Sequence, residues 1–250
     1  MQTDSDHSSH KVSPGRNPKS QRFLIPRSQR RNFLIKFTFM TILGWIVGGI
    51  ASITLEKAIL EVLPPVVGKP MTWYSWQKYL SSGLFAVIFG ADQAFVIHRY
   101  VSGWLWMLAT GVGWMIANSV SAAWINYISS IASSLNKALS FQEVFILGIL
   151  STCAYIISGI WLGLCQWLVL RRYTVRAWWW NFLPSISFLF ISISVGLLSL
   201  LQEFFPQPSS IQILNFIGQG LTAVILGIIP AIGLCLLKTD SGQTDDFHYD

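Results

Sequence analysis

Six stretches of this chain carry almost no charge over lengths that reach or approach a membrane crossing, which leaves it few ways to fold. Phe37–Leu55 has no charged residue before Glu56, and Tyr79–Ile97 is interrupted only by Asp92. The remaining blocks run near 104–127, 144–170, 177–202 and 211–237. About 20 apolar residues in a helix cross the ~30 Å of hydrocarbon in a bilayer. A membrane barrel would instead alternate apolar and polar residues in segments of about ten, and these blocks are continuously apolar. Backbone groups in lipid must then bond within helices. Charged residues make up only 11% of the chain, against roughly 25% in a soluble domain, so no charged surface is available for a water-soluble fold. The sequence predicts an all-α membrane protein with six transmembrane helices, at about 37–55, 79–98, 104–127, 144–170, 178–202 and 211–237.

The blocks are related to one another. Gly90, Gln93, Val96, Arg99 and Tyr100 recur 73 residues later as Gly163, Gln166, Val169, Arg172 and Tyr173. The run G-L-F-A-V-I-F-G at 83–90 returns as G-L-T-A-V-I-L-G at 220–227, and T-I-L-G-W at 41–45 matches T-G-V-G-W at 110–114. Such echoes mean stacked copies of one supersecondary unit. The last match also keeps the first block as helix 1 rather than a cleaved signal. Helices 2, 4 and 6 each end in a corner, and a helix opening with tryptophan follows the first two corners. Copies of one orientation make three parallel two-helix repeats around an axis along the membrane normal.

Charge sets the expected orientation. The N-terminal tail with Lys36, the corners at Arg99 and at Arg171, Arg172 and Arg176, and Lys238 hold 13 of the 17 Lys and Arg. By the positive-inside rule, both termini and the basic corners face the cytoplasm. Residues 1–35, rich in Arg, Lys, Ser and Pro, read as a disordered basic tail. Residues 36–238 form the transmembrane domain, and 239–250 a disordered acidic tail. Trp73, Tyr74 and Trp76 are placed in the first outer loop, and Trp178, Trp179 and Trp180 at the inner interface, where an indole finds both apolar and polar surroundings.

Few residues carry chemistry. Asp92 is the one acid inside a predicted span, a position that is costly and often functional. A snorkelling pair with Arg99, seven residues on, is one reading, and a proton or ion path another. Gln93 and Gln166 suit interhelical bonding or contact with a solute. Pro230 occupies the third copy's matching position and frees a backbone carbonyl. Arg99, Arg171, Arg172 and Arg176, with Trp178 and Trp179, suit interfacial anchoring or anionic lipid headgroups. Gly44 and Gly48, then Gly159 and Gly163, have the spacing that lets helices approach closely. No zinc-protease, C-x-x-C, phosphate-loop or nucleophile-elbow pattern occurs, so no catalytic residue, metal or cofactor is assigned. The basic tail lacks the folded context of a nucleic-acid module. Cys153, Cys165 and Cys235 fall in spans and imply no disulfide framework.

The run Q-W-L-V-L-R-R-Y at 166–173, followed by A-W-W-W, resembles a group of cyanobacterial-type multi-spanning membrane proteins with a repeated Q-W-L-V-L-R-R / W-W helix-pair motif. The likeness covers about thirty residues well, with a weaker echo at 90–106. Arg176-Ala177 stands where that pattern has a small pair. The resemblance implies a bacterial inner or thylakoid membrane and carries no activity. The expected function is that of a non-enzymatic scaffold, assembly or regulatory subunit, in contact with anionic lipids and a membrane-protein partner. The alternative is a small transporter or channel using Asp92.

Overall fold

The computed structural model describes residues 22–62, 72–134, 141–205 and 207–239. Six helices fill them: α1 (Arg30–Val62), α2 (Thr72–Ile97), α3 (Gly103–Ser134), α4 (Phe141–Leu170), α5 (Leu183–Phe204) and α6 (Pro208–Leu236). All six are long and apolar enough to cross a membrane, making this an all-α integral membrane protein. Most run past the expected limits. The 33 residues of α1 extend about 50 Å at 1.5 Å per residue, well beyond the hydrocarbon. Hydropathy marks only the lipid-facing length, whereas helical bonding continues into polar residues at both ends. The first turns of α2 accordingly take in Trp73, Tyr74 and Trp76, which the sequence placed in a loop.

The helices contact one another in cyclic order, each on its neighbours in the chain and α6 back on α1. One end of the ring carries Arg99, Arg171, Arg172, Arg176 and Lys238 and is called the basic end below; the other is the far end. Packing is densest toward the basic end. Beyond Gly48 in α1, before Ser158 in α4, beyond Ile191 in α5 and before Ala223 in α6, none of the described side chains is buried. Midway along the ring, all six helices supply a core around Phe89, Trp114, Phe188 and Leu226, with Trp45, Phe85 and Tyr155 against it. Its rings are mutually packed: Trp45 meets Phe85 edge-on at 5.2 Å between centroids, and Tyr155 stacks on Phe188 at 4.6 Å. Offset and edge-on pairs of this kind are worth about 0.5–1.5 kcal/mol each beyond their burial.

Glycine sets the helix crossings. A methyl built on Gly90 would lie 3.0 Å from the Met107 carbonyl oxygen, and one on Gly227 2.9 Å from Thr38 Cα. One on Gly163 would collide with the backbone of Asn181. The three glycines that the sequence aligned with one another thus each let an even-numbered helix touch the backbone of the segment it packs on. A second set follows suit: Gly44 abuts Asp92, and Gly113 abuts Leu162 and Cys165.

The two corners between hairpins differ. From α2 the chain turns at once, with Tyr100 and Val101 N–H both donating to the Ile97 carbonyl. After α4 the corner is a residue longer, and Arg176 takes a left-handed conformation (φ 59°). A 3-10 turn over Ala177–Phe182 then leads into α5, which starts with Pro184 in its first turn. Proline suits a helix start because the N–H it lacks has no partner there. The fifth helix therefore begins at Leu183, while the tryptophan run that seemed to open it winds in the tighter 3-10 form.

A strap closes the basic end. Strand β1 (Arg22–Phe23) pairs antiparallel with β2 (Lys238–Thr239), and Leu24 N–H donates to the Leu237 carbonyl at 2.9 Å. Val175 N–H donates to the Lys238 carbonyl, tying in the second corner. Leu24, Ile25 and Leu237 are buried beneath the strap, and the Arg30 guanidinium lies 4.1 Å from the centre of the Phe23 ring. The segment expected to be a disordered tail up to residue 35 is thus folded from residue 22, because its Phe-Leu-Ile run supplies apolar side chains that cap the bundle. Residues 1–21 and 240–250 lie outside the described residues, and with them most of both expected tails.

Candidate functional site

The two recurring glutamines are core residues. Gln93 of α2 is buried, and its Oε1 accepts from the Trp106 indole N–H at 3.3 Å. Gln166 of α4 accepts in the same way from Trp180 at 3.0 Å and donates to Thr110 Oγ1 at 3.1 Å. Trp106 and Trp180 are fully buried and meet edge-on, 5.9 Å apart. One network therefore joins α2, α3, α4 and the 3-10 turn. It is made of neutral amides, indoles and a hydroxyl, which hold helices together and supply neither an acid nor a base.

Thr41, Thr110 and Ser187 are all fully buried. Thr41 and Ser187 donate to the carbonyl four residues back, at 2.8 and 3.3 Å, while Thr110 serves Gln166. The matched T-x-x-G-W runs held the signal for the two threonines; nothing in the sequence marked Ser187.

Asp92 is half-buried against Gly44 in α1, where a methyl on the glycine would sit 2.7 Å from its carboxylate. The expected partner does not pair with it. Seven residues span about 10 Å of helix, and Arg99 lies past the end of α2 and is exposed. Among the described residues no ion pair joins them. Cys165, at the matching position in α4, packs against Gly113 in the same way. Pro230 sits inside an α6 that continues without a break. Among the described residues, no three His, Cys, Asp or Glu converge as metal ligands.

Comparison with protein-family models, curated proteins and solved structures finds no match.

The basic corners form an aromatic rim. The Arg171 guanidinium lies 5.5 Å from the Trp167 ring centre, and Arg172 and Arg176 are exposed. Trp178 is exposed, while Trp179 tilts against Trp180 with 6.2 Å between centroids. At the first corner Tyr100 donates to Gln29 Oε1 at 2.8 Å, and Tyr173 accepts from the Ser102 N–H at 3.3 Å. Each tyrosine thereby reaches the residue just ahead of an odd-numbered helix. Burial pushes the Tyr100 phenol above its ordinary range, against the lowering effect of Arg99, so it remains a donor at physiological pH.

A row of amides in α6 was missed. Gln212, Asn215 and Gln219 recur at helical spacing and are all exposed. Asn215 Oδ1 accepts from Gln202 Nε2 at 3.3 Å, and Gln219 Oε1 from the Trp45 indole at 3.1 Å. With Phe216 they line a cavity of about 390 Å³. Counted from Leu236 at the basic end, Gln219 lies about 25 Å along the axis, inside the ~30 Å of hydrocarbon, while Asn215 and Gln212 lie about 32 and 36 Å along, at and just past its far edge. The spacing was present in the sequence, inside the sixth predicted span, but the row precedes the echoed run at 220–227 and drew no reading of its own.

Proposed function

We propose that this chain is a non-enzymatic scaffold, assembly or regulatory subunit, built of three two-helix units and seated with its basic end in the cytoplasm of a bacterial inner or thylakoid membrane. The amide row of α6 carries the reading. Polar side chains within a membrane almost always face a bundle interior, a watery cavity or a partner. Gln93 and Gln166 are buried and bonded within the ring, whereas Gln212, Asn215 and Gln219, on the same face of α6 as the buried Ala223 and Leu226, stay exposed where the ring is loose. Beside them Gly220 has no atom within 4 Å of where its Cβ would be, and small residues next to amides are what a docking transmembrane helix uses. The three-unit arrangement is supported by the equivalent contacts of Gly90, Gly163 and Gly227 and by the repeated Gln–Trp bond.

A transport path has less to stand on. The axis is filled by the aromatic core, the strap lies across one end, and Asp92 packs against Gly44 with no matching carboxylate in the other copies.

Photocrosslinking residues placed at 212, 215 and 219 in native membranes test the proposal. One discrete adduct with a second membrane protein is expected, and it should disappear when the other two amides are changed to leucine. Adducts with lipid alone, together with solute flux in proteoliposomes that is abolished by Asp92→Asn, would replace the scaffold with a transporter. Reporter fusions at the C-terminus decide the orientation: a fluorescent reporter should fold there and a periplasmic phosphatase should stay inactive.

A further inference from the structure

A groove of about 460 Å³ opens between α1 and α2 at the basic end, and its two halves differ in chemistry. Asn32, Lys36, His98 and Arg99 line the outer half, at and just beyond the helix ends. Phe39 and Phe95 line the inner half, 62% and 70% exposed, roughly a turn deeper toward the hydrocarbon. The lining contains no Asp or Glu; Asp92 lies about a further turn in, against Gly44. The Tyr100–Gln29 bond fixes the rim by tying the end of α2 to the start of α1.

We infer that this groove is a binding site for an acidic phospholipid, with the headgroup phosphate between Lys36 and Arg99 and an acyl chain along Phe39 and Phe95. Cations at headgroup depth directly above exposed aromatic rings match the two parts of such a lipid and no soluble anion. Two positive charges with no acid among them favour an anionic headgroup over a zwitterionic one. The hairpin of α3 and α4 lacks this site. At the position matching Lys36, aligned through the two T-x-x-G-W runs, α3 carries Leu105. The inference is independent of the partner surface on α6, which lies on another helix and is tested by crosslinking.

The full-length protein in detergent is titrated with phosphatidylglycerol, phosphatidylcholine and glycerol 3-phosphate, with bound species counted by native mass spectrometry. Phosphatidylglycerol should bind, and the other two should not. Changing Lys36→Gln and Arg99→Gln together should weaken phosphatidylglycerol by about tenfold or more; both side chains are exposed, so the melting temperature should hold. Lys57→Gln, exposed at the far end of α1, should leave binding unchanged. Equal binding of phosphatidylcholine would show ordinary lipid solvation and overturn the site. Glycerol 3-phosphate binding as tightly as the lipid, or a double variant that retains phosphatidylglycerol, would overturn it too.

Discussion

An indole N–H in hydrocarbon needs an acceptor, and this chain twice provides a glutamine on the helix before. The two bonds are unequal. Gln93 has Trp106 as its partner, whereas Gln166 holds Trp180 and Thr110 at once. Interhelical bonds of this kind average ~0.6 kcal/mol and reach about 2. Gln166→Leu should therefore cost about 1–2 kcal/mol and Gln93→Leu about half that, read as thermal unfolding in detergent; equal losses would mean that packing rather than bonding sets the cost. Arg176 runs the other way. A left-handed backbone costs a non-glycine residue roughly 1–2 kcal/mol, and φ is 59° there. Because glycine also gains freedom in the unfolded chain, Arg176→Gly should raise stability by about 0.5–1 kcal/mol. A fall in melting temperature would show that the guanidinium makes up for the strain. The sequence carried half of this picture. Glutamine and tryptophan recur in it, but which indole meets which amide depends on the length of the intervening corner, and the second corner takes its extra residue through the left-handed turn.

Among the helices, glycine divides into two kinds. Gly163 has the Asn181 backbone where its side chain would be, and Gly148 and Gly196 have nothing within 4 Å. Gly163→Ala should push α4 off the 3-10 turn and cost about 1–3 kcal/mol, the usual toll of overpacking. Gly148→Ala should be neutral or stabilise by a few tenths to 1 kcal/mol through helix propensity. Matched losses at both sites would contradict the crossing geometry. Six spans were legible because hydropathy integrates over some twenty residues. Their ends were not, since nothing in hydropathy stops a helix at the membrane surface: Gln77 and Lys78 are as helical as Leu84. The strap was invisible for a different reason. Two-residue strands have no periodicity, and their pairing links residues 22–23 with 238–239, far apart in sequence.

At the scale of the molecule, the ring is tight at its basic end and loose at its far end, with the strap over the tight part. Cys235 is buried in the cluster that includes Leu24 and Ile25. In a Cys153→Ser, Cys165→Ser background, deleting residues 1–26 should turn Cys235 from slow to fast maleimide labelling and lower the melting temperature. Unchanged labelling would mean that the helices shield the thiol without help. The loose far end agrees with the proposed partner surface, because Gln212, Asn215 and Gln219 lie on the part of α6 that its own bundle leaves uncovered.

The hydrogen bond between Leu24 and Leu237 also has a meaning in time. Ribosomes make about 5–20 residues per second, so the first half of the strap waits roughly ten to forty seconds for its other half to be synthesised. Throughout that interval Leu24 and Ile25 have no lid to complete and five helices have no sixth to close them. A nascent chain of this kind closes its ring only once residues 237–239 have been made, and one truncated before Leu237 should present an open ring to the membrane's quality-control proteases.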